Sequence, residues 1–175
     1  MIETDRLILS TPAIADFDAY HALFSEPPVY RFFGNTPLTR NESWTKFLRG
    51  IGHWSVFGFG MFSIREKTTR RYLGETGLVH FQRELGPDFD SCAEAVWILT
   101  SDAHGKGYAT EAAEAALRWI FDTKGEQRSV CLIDPENTGS TRVAEKLGYR
   151  MLEPRTYREK PVTILERMPD REHLT

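Results

Sequence analysis

The stretch from Val96 to Asp122 constrains this chain more than any other. An apolar run, Val96-Trp97-Ile98-Leu99, leads through a short turn into Gly105-Lys106-Gly107, which opens the clearest helical pattern in the sequence. From Gly107 to Asp122, residues Ala109, Ala112, Ala113, Ala116, Leu117, Ile120 and Phe121 form one apolar stripe, while Glu111, Glu114, Arg118 and Asp122 face away. A strand followed by a one-sided helix must pack that helix on a sheet. Glycines at the helix start leave exposed backbone N–H groups able to approach an anion, and the positive end of the helix dipole adds to the attraction. Such a turn suits a diphosphate.

Local pattern leaves several readings of the turn. A P-loop would need Ser or Thr after the lysine, and Gly107-Tyr108 stands there. A dinucleotide fingerprint would need a glycine where Thr110 stands, and an acid closing a second strand. Neither fits. A glycine turn that only joins strand to helix stays open on this fragment alone.

The rest of the chain supplies the other elements. Arg6 to Ser10 reads as a strand, Asp16 to Phe24 as a helix stopped by Pro27-Pro28, and Arg40 to Gly50 as a second helix capped by Asn41, with Trp44, Phe47 and Leu48 on one face. His53 to Gly60 reads as an aromatic, glycine-rich loop. Met61–Arg65, Tyr72–Phe81 and Ala93–Thr100 read as three strands, the first two joined as a hairpin. Ser129–Ile133 is a further strand. Asn137 to Leu147 is a helix capped by Asn137 and stopped by Gly148, and short strands follow near 150–152 and 163–167. The order predicts an α/β (α+β) fold, one domain over residues 1–175, with a mixed, mostly antiparallel sheet of about seven strands flanked by helices.

Composition narrows the function classes. With 41% hydrophobic and 27% charged residues, 175 residues can bury the core of one domain. The longest apolar runs are short and broken by charges, so no membrane span is expected. Met1 to Arg6 carries two acids and no apolar signal core, which points to the cytoplasm. A net charge of −3 without a concentrated basic face argues against nucleic-acid binding. Cys92 and Cys131 read as buried free thiols, and the scattered histidines give no metal-binding spacing.

His104-Gly105-Lys106-Gly107-Tyr108-Ala109, followed by Thr110-Glu111-Ala112, resembles the acetyl-CoA signature Gln/Arg-x-x-Gly-x-Gly/Ala of the GNAT superfamily of N-acetyltransferases. Gly-Lys-Gly-Tyr-Ala-Thr-Glu-Ala is similar to the branch of ribosomal-protein N-terminal acetyltransferases (RimJ/RimL type). Thr4 to Leu9 resembles that branch's opening strand. Asn137 to Ser140 with Glu145 to Tyr149 resembles its second cofactor motif. The likeness spans about residues 3 to 168. Two positions depart from the pattern: His104 replaces Gln or Arg, and Ala144 stands where many superfamily members carry a tyrosine acid.

The resemblance implies a sheet splayed between the fourth and fifth of the expected strands, with acetyl-CoA as co-substrate in the gap. Backbone groups of Ile98, Leu99 and Thr100 would hold the pantetheine arm, and an N–H near Trp97 or Ile98 would polarise the thioester carbonyl. His104, Gly105, Lys106, Gly107, Tyr108, Ala109 and Thr110 would hold the pyrophosphate, assisted by Lys146, while Asn137 would both cap its helix and contact the pantetheine arm. Ser140 would donate a proton to the departing sulfur, or only pack on its helix. Glu94 is the candidate base, with His80 as an alternative; each also has a purely structural reading. Trp44, His53, Trp54, Phe57 and Phe59 flank the expected acceptor side, as core or pocket wall. The expected partner is a primary amine, on a protein N-terminus or a small molecule, served by a monomer or homodimer with no metal. An acyl-CoA-binding module without turnover is the rival reading, and a nicotinamide oxidoreductase a distant third.

Overall fold

The computed structural model describes residues 1–126 and 128–168. Its elements are β1 (Ile2–Glu3), β2 (Leu7–Ser10), α1 (Phe17–Leu23), α2 (Pro27–Tyr30), α3 (Arg40–Phe57), β3 (Met61–Glu66), β4 (Tyr72–Val79), α4 (Pro87–Asp90), β5 (Ala93–Leu99), α5 (Tyr108–Lys124), β6 (Ser129–Ile133), α6 (Thr138–Lys146), β7 (Arg150–Tyr157) and β8 (Lys160–Arg167). The strands make one sheet in the order β1-β2-β3-β4-β5-β6-β8-β7, antiparallel throughout except for β5 and β6. This is the mixed α/β sheet expected, with the two-residue β1 as an eighth strand.

The apolar stripe of α5 does what its spacing requires. Ala112, Ala113, Ala116, Leu117 and Ile120 are buried against Leu9, Phe62, Ile64, Leu73, Leu78 and Ala95 on one face of the sheet. Alanines on that face let the helix lie close to the strands. On the opposite face, Phe17, Tyr20, Leu23 and Phe24 pack with Phe47 of α3 onto Tyr72 and Ile98. A smaller cluster, Phe89, Val130, Val162 and Ile164, covers the far side of that same face. The trough between these two clusters runs along β5.

Several local expectations change. Helix α3 runs on to Phe57 and ends at left-handed Gly58, so 53–57 is helix where the aromatic and glycine content suggests a loop. Its cap is Thr39, not Asn41: the Thr39 hydroxyl accepts from the Glu42 N–H while Glu42 accepts from the Thr39 N–H. Leu48 is exposed, so only Phe47 of the expected face reaches the core. Pro27, expected to stop a helix, instead opens the short α2. Strand β4 stops at Val79 and β5 at Leu99. The last two strands are longer than predicted and form a hairpin turned by Arg158 and Glu159, both at positive φ. Asn137 caps α6, its carboxamide oxygen accepting from the Ser140 N–H, and Gly148 sits in the left-handed region after it.

Candidate active site

Strands β5 and β6 pair over only two register positions, Ala93 with Ser129 and Glu94 with Val130. Beyond them the strands part. The other edge of β5 stays paired with β4 from Val79–Glu94 to Gly74–Leu99, so only the β6-facing edge is left without a strand partner. An extended ligand can add to such an edge as a strand would.

The glycine turn stands at the end of this gap. Gly105 and Gly107 both adopt left-handed backbone (φ +73° and +78°), a conformation β-carbons disfavour. Gly107 is the N-cap of α5 and offers no side chain to the first-turn N–H groups, whereas Thr39 and Asn137 fill that role on α3 and α6. The donors of the first turn are therefore left for an anion. His104, at the head of the motif, turns its ring back, with Nε2 bonded to the Leu99 carbonyl at 2.9 Å; its side chain braces the turn. Thr100 similarly bonds Asp102, and its N–H donates to the Leu73 carbonyl.

Glu111 does not face solvent as the helical wheel suggests. It accepts from the Thr4 hydroxyl at 2.6 Å, from the Arg6 N–H at 3.0 Å and from Arg6 Nε at 2.7 Å. Arg6 also donates to the Lys106 carbonyl at 2.9 Å and lies over the Tyr108 ring. Burial pushes the Glu111 carboxyl upward, but these bonds outweigh it and hold it below the usual range. The opening Thr4-Asp5-Arg6 segment thus ties the glycine turn to the sheet edge, a contact separated by about a hundred residues that spacing could not reveal.

Across the gap, Trp97 Nε1 donates to the Ser140 hydroxyl at 3.3 Å, which joins β5 to α6. Ser140 therefore lies at the gap, beside Trp97 and one turn from the buried Ala144. Lys106 and Lys146 are exposed.

On the opposite face, in the trough, Glu94 is buried and bonded through both oxygens to Arg83, at 2.5 and 2.7 Å. Burial raises its carboxyl and Arg83 opposes that rise. The guanidinium is sandwiched by Phe81 and Tyr157. Glu94 is thus neither the surface carboxylate of one reading nor unengaged as the other requires. Glu75, which the sequence does not single out, faces the same trough from β4, 7% exposed, opposite Ile98 in register. Burial raises its carboxyl to about 7, with Lys46 and Arg49 opposing. The only hint in the sequence is an acid inside the apolar run of β4.

Of the other aromatic candidates, Trp44 and Phe57 are exposed, whereas His53, Trp54 and Phe59 are tied into the fold. His53 is pinned between two backbone groups: Nδ1 lies 2.7 Å from the Phe59 carbonyl, and Nε2 accepts from the His80 N–H at 3.0 Å. Phe59 is core, and Trp54 packs on Phe62 and Trp119 while donating to the Met61 carbonyl. The His80 ring sits among His53, Phe57 and Phe59 at the end of β4. Cys131 is buried and Cys92 half-buried, both as thiols. No group of three or more His, Cys, Asp or Glu among the described residues could hold a metal ion, and no helix among them is long and apolar enough to cross a membrane.

A half-paired parallel strand edge thus runs to an uncapped, glycine-opened helix. Residues 6–150 match the family model described as Acetyltransferase (GNAT) domain, and the chain belongs to that family. A structure from Bordetella pertussis described as a GnaT-family acetyltransferase is 31% identical, covering 95% of this chain and 98% of that one with TM-score 0.86. An acetyltransferase structure from Agrobacterium tumefaciens is 32% identical over 95% and 92%, with TM-score 0.80. YkkB of Bacillus subtilis, uncharacterised, is 29% identical over 94% of this chain and 93% of its own. More distant structures share the fold at 14–16% identity: spermidine N-acetyltransferase of Vibrio cholerae with CoA and spermine (TM-score 0.73), and RimL, the ribosomal L7/L12 α-N-protein acetyltransferase, with CoA (TM-score 0.77).

Proposed function

We infer that this protein transfers the acetyl group of acetyl-CoA directly to a primary amine. The observation that carries the reading is the β5–β6 gap ending on the uncapped first turn of α5. The free edge of β5 up to Leu99 takes the pantetheine arm, whereas Thr100, expected to share in it, spends its N–H on the Leu73 carbonyl and its carbonyl on the Ala103 N–H; residues 104–110 take the pyrophosphate, with the amides of Gly105 to Thr110 as the main donors. Asn137 spends its oxygen on capping α6 and keeps its amide for the cofactor. Lys106 and Lys146, exposed, add only weak attraction to the phosphates.

Chemistry needs a neutral amine, a polarised carbonyl and a leaving thiol. The N–H at Trp97 or Ile98 serves the carbonyl. Ser140 still has its own hydroxyl proton after accepting from Trp97, so it can donate to the departing sulfur; with thiol pKa near 8.5, that help is worth only a modest factor. Glu94 is one proposed base, acting from within its Arg83 fork. The distant CoA-bound relatives named for spermidine and for a ribosomal protein N-terminus support an amine of either kind. A protein α-amine, with a pKa about two units below a lysine amine, is the easier to deprotonate near neutrality. The sequence likeness to the RimJ/RimL branch points the same way.

A thiol-release assay with an amine panel separates enzyme from acyl-CoA binder. Gly107→Val places a branched residue at φ +78° where phosphate must approach, and should weaken acetyl-CoA binding at least tenfold, about 1.4 kcal/mol. Calorimetry giving unchanged affinity in a folded variant would overturn the loop assignment.

A further inference from the structure

We propose that Glu75, on β4, is the carboxylate that takes the proton from the acceptor amine. The inference rests on the transferase reading above and adds to it a residue outside the motifs of the cofactor site. Three geometric facts lead to it.

The first is register. Glu75 is the direct cross-strand partner of Ile98, so the two β-carbons lie about 5 Å apart on one face of the sheet. Ile98 belongs to the stretch of β5 whose amide would polarise the thioester carbonyl. Glu94 lies four residues back along the same strand, about 13 Å away at 3.3 Å per residue.

The second is engagement. Both Glu94 oxygens are held by Arg83, whereas no hydrogen bond and no ion pair within 4 Å reaches the Glu75 carboxylate among the described residues. Every fully sealed side-chain oxygen or nitrogen among those residues does have a partner. The Glu75 oxygens are therefore not wholly sealed, although the residue is over nine-tenths buried.

The third is setting. Tyr20 from α1, Lys46 and Arg49 from α3, and Tyr72 from β4 face Glu75; Ser63, its partner on β3, is tied to the Asp16–Arg65 pair, and Arg83 stands beyond Lys46. The Lys46 ammonium lies over the Phe24 and Phe33 rings at 4.1 and 4.9 Å. These groups neutralise the ionised carboxylate without forming the close pair that would block it. Burial, which raises this carboxyl to about 7, tunes it to accept a proton near neutrality.

In the step, an N–H bond of the acceptor ammonium breaks and its proton passes to a Glu75 oxygen. The nitrogen lone pair then forms the N–C bond at the thioester carbonyl, and the C–S bond electrons leave with sulfur. The thiolate is protonated at Ser140 or by solvent. A second proton leaves the new amide nitrogen for solvent, Ser140 regains from solvent any proton it gave, and Glu75 returns its own to solvent. No oxidant, reductant or further reactant is needed.

The test measures kcat from pH 5.5 to 9 with acetyl-CoA and whichever of three probes turns over fastest: spermidine, kanamycin, or a short peptide with a free α-amine. The wild type should lose kcat below about pH 7, where Glu75 holds its proton. Glu75→Gln should lower kcat at pH 7 at least 100-fold and move the acidic limb up toward the pKa of the acceptor amine itself, so that the loss shrinks by pH 9, with acetyl-CoA affinity within twofold of wild type. Glu75→Asp, which keeps the acid but draws it back, should recover part of the rate. Unchanged kcat in a folded Glu75→Gln, an acidic limb left at the same pH as in the wild type, or an affinity loss matching the rate loss would each overturn the assignment. Should Glu75→Gln fail to fold, the wild-type profile decides, since a kcat flat down to pH 5.5 excludes a base of this kind. No turnover with any probe while acetyl-CoA still binds would overturn the transferase reading, and this inference with it.

Discussion

Glu94 and Glu75 face the same trough from neighbouring strands, yet their surroundings give them different physical roles. Arg83 neutralises Glu94 through a two-bond fork and is itself held between Phe81 and Tyr157. Removing one member of a buried pair leaves the other charge uncompensated, which typically costs about 3–5 kcal/mol. The Glu94→Gln amide can still accept one bond from Arg83, so the expected loss is smaller, about 2 kcal/mol. That loss should appear as a lower urea midpoint at pH 7, with the acidic limb of kcat still in place. A stability unchanged within about 0.5 kcal/mol, accompanied by an upward shift of the limb, would return the base to Glu94.

At the level of elements, the glycine turn is held in place from outside. Arg6 and Thr4 gather Glu111, the Lys106 carbonyl and the Tyr108 ring into one contact. Glu111 lies in the first turn of α5, where an unpaired carboxylate would oppose a bound phosphate, and Arg6 neutralises it. Arg6→Ala should therefore weaken acetyl-CoA binding about fivefold to tenfold, and more strongly at low salt than at high. Equal affinities for the variant and wild type at low salt would reduce the contact to a fastening of β2. Helix α3 teaches a related point about boundaries: the box between Thr39 and Glu42 starts the helix two residues before the Asn41 cap would.

For the whole molecule, the gap makes the sheet discontinuous in hydrogen bonding. The strands β6, β8 and β7 join the rest through two register pairs of β5, the Trp97–Ser140 bond, the Phe89 cluster, the reach of Arg128 and Arg155 to the Asp88 and Leu85 carbonyls, and the packing of α5 and α6. A ligand that adds to the free edge of β5 binds only the folded state. At 100 times its dissociation constant it would stabilise that state by about 2.7 kcal/mol. For a chain of this size that corresponds to a rise in Tm of roughly 5–10 °C. Thermal melts with acetyl-CoA should show this shift, and Gly107→Val should remove about half of it or more at the same concentration. No shift in the wild type would contradict binding in the gap.

Periodicity and local chemistry made much of this legible in one dimension. The α5 stripe, the Asn137 cap, the Gly148 stop and the left-handed glycines at 105 and 107 each depend on neighbours within a few residues, so the sequence alone determined the strand–turn–helix unit and the mixed α/β class. The base was not legible, because alternation along β4 is broken. A bulge pairs Arg65 with Tyr72 and Ile64 with Gly74, so Leu73 is an extra residue, and Tyr72 and Glu75 reach the trough while Leu73 and Leu78 reach the α5 side. Only the tertiary structure decided that Glu94 would meet Arg83, that Glu111 would meet Arg6, and that Glu75 would lie opposite Ile98 without a close partner. Each depends on which distant segments the sheet order brings together, and strand pairing across such separations leaves no period in the sequence.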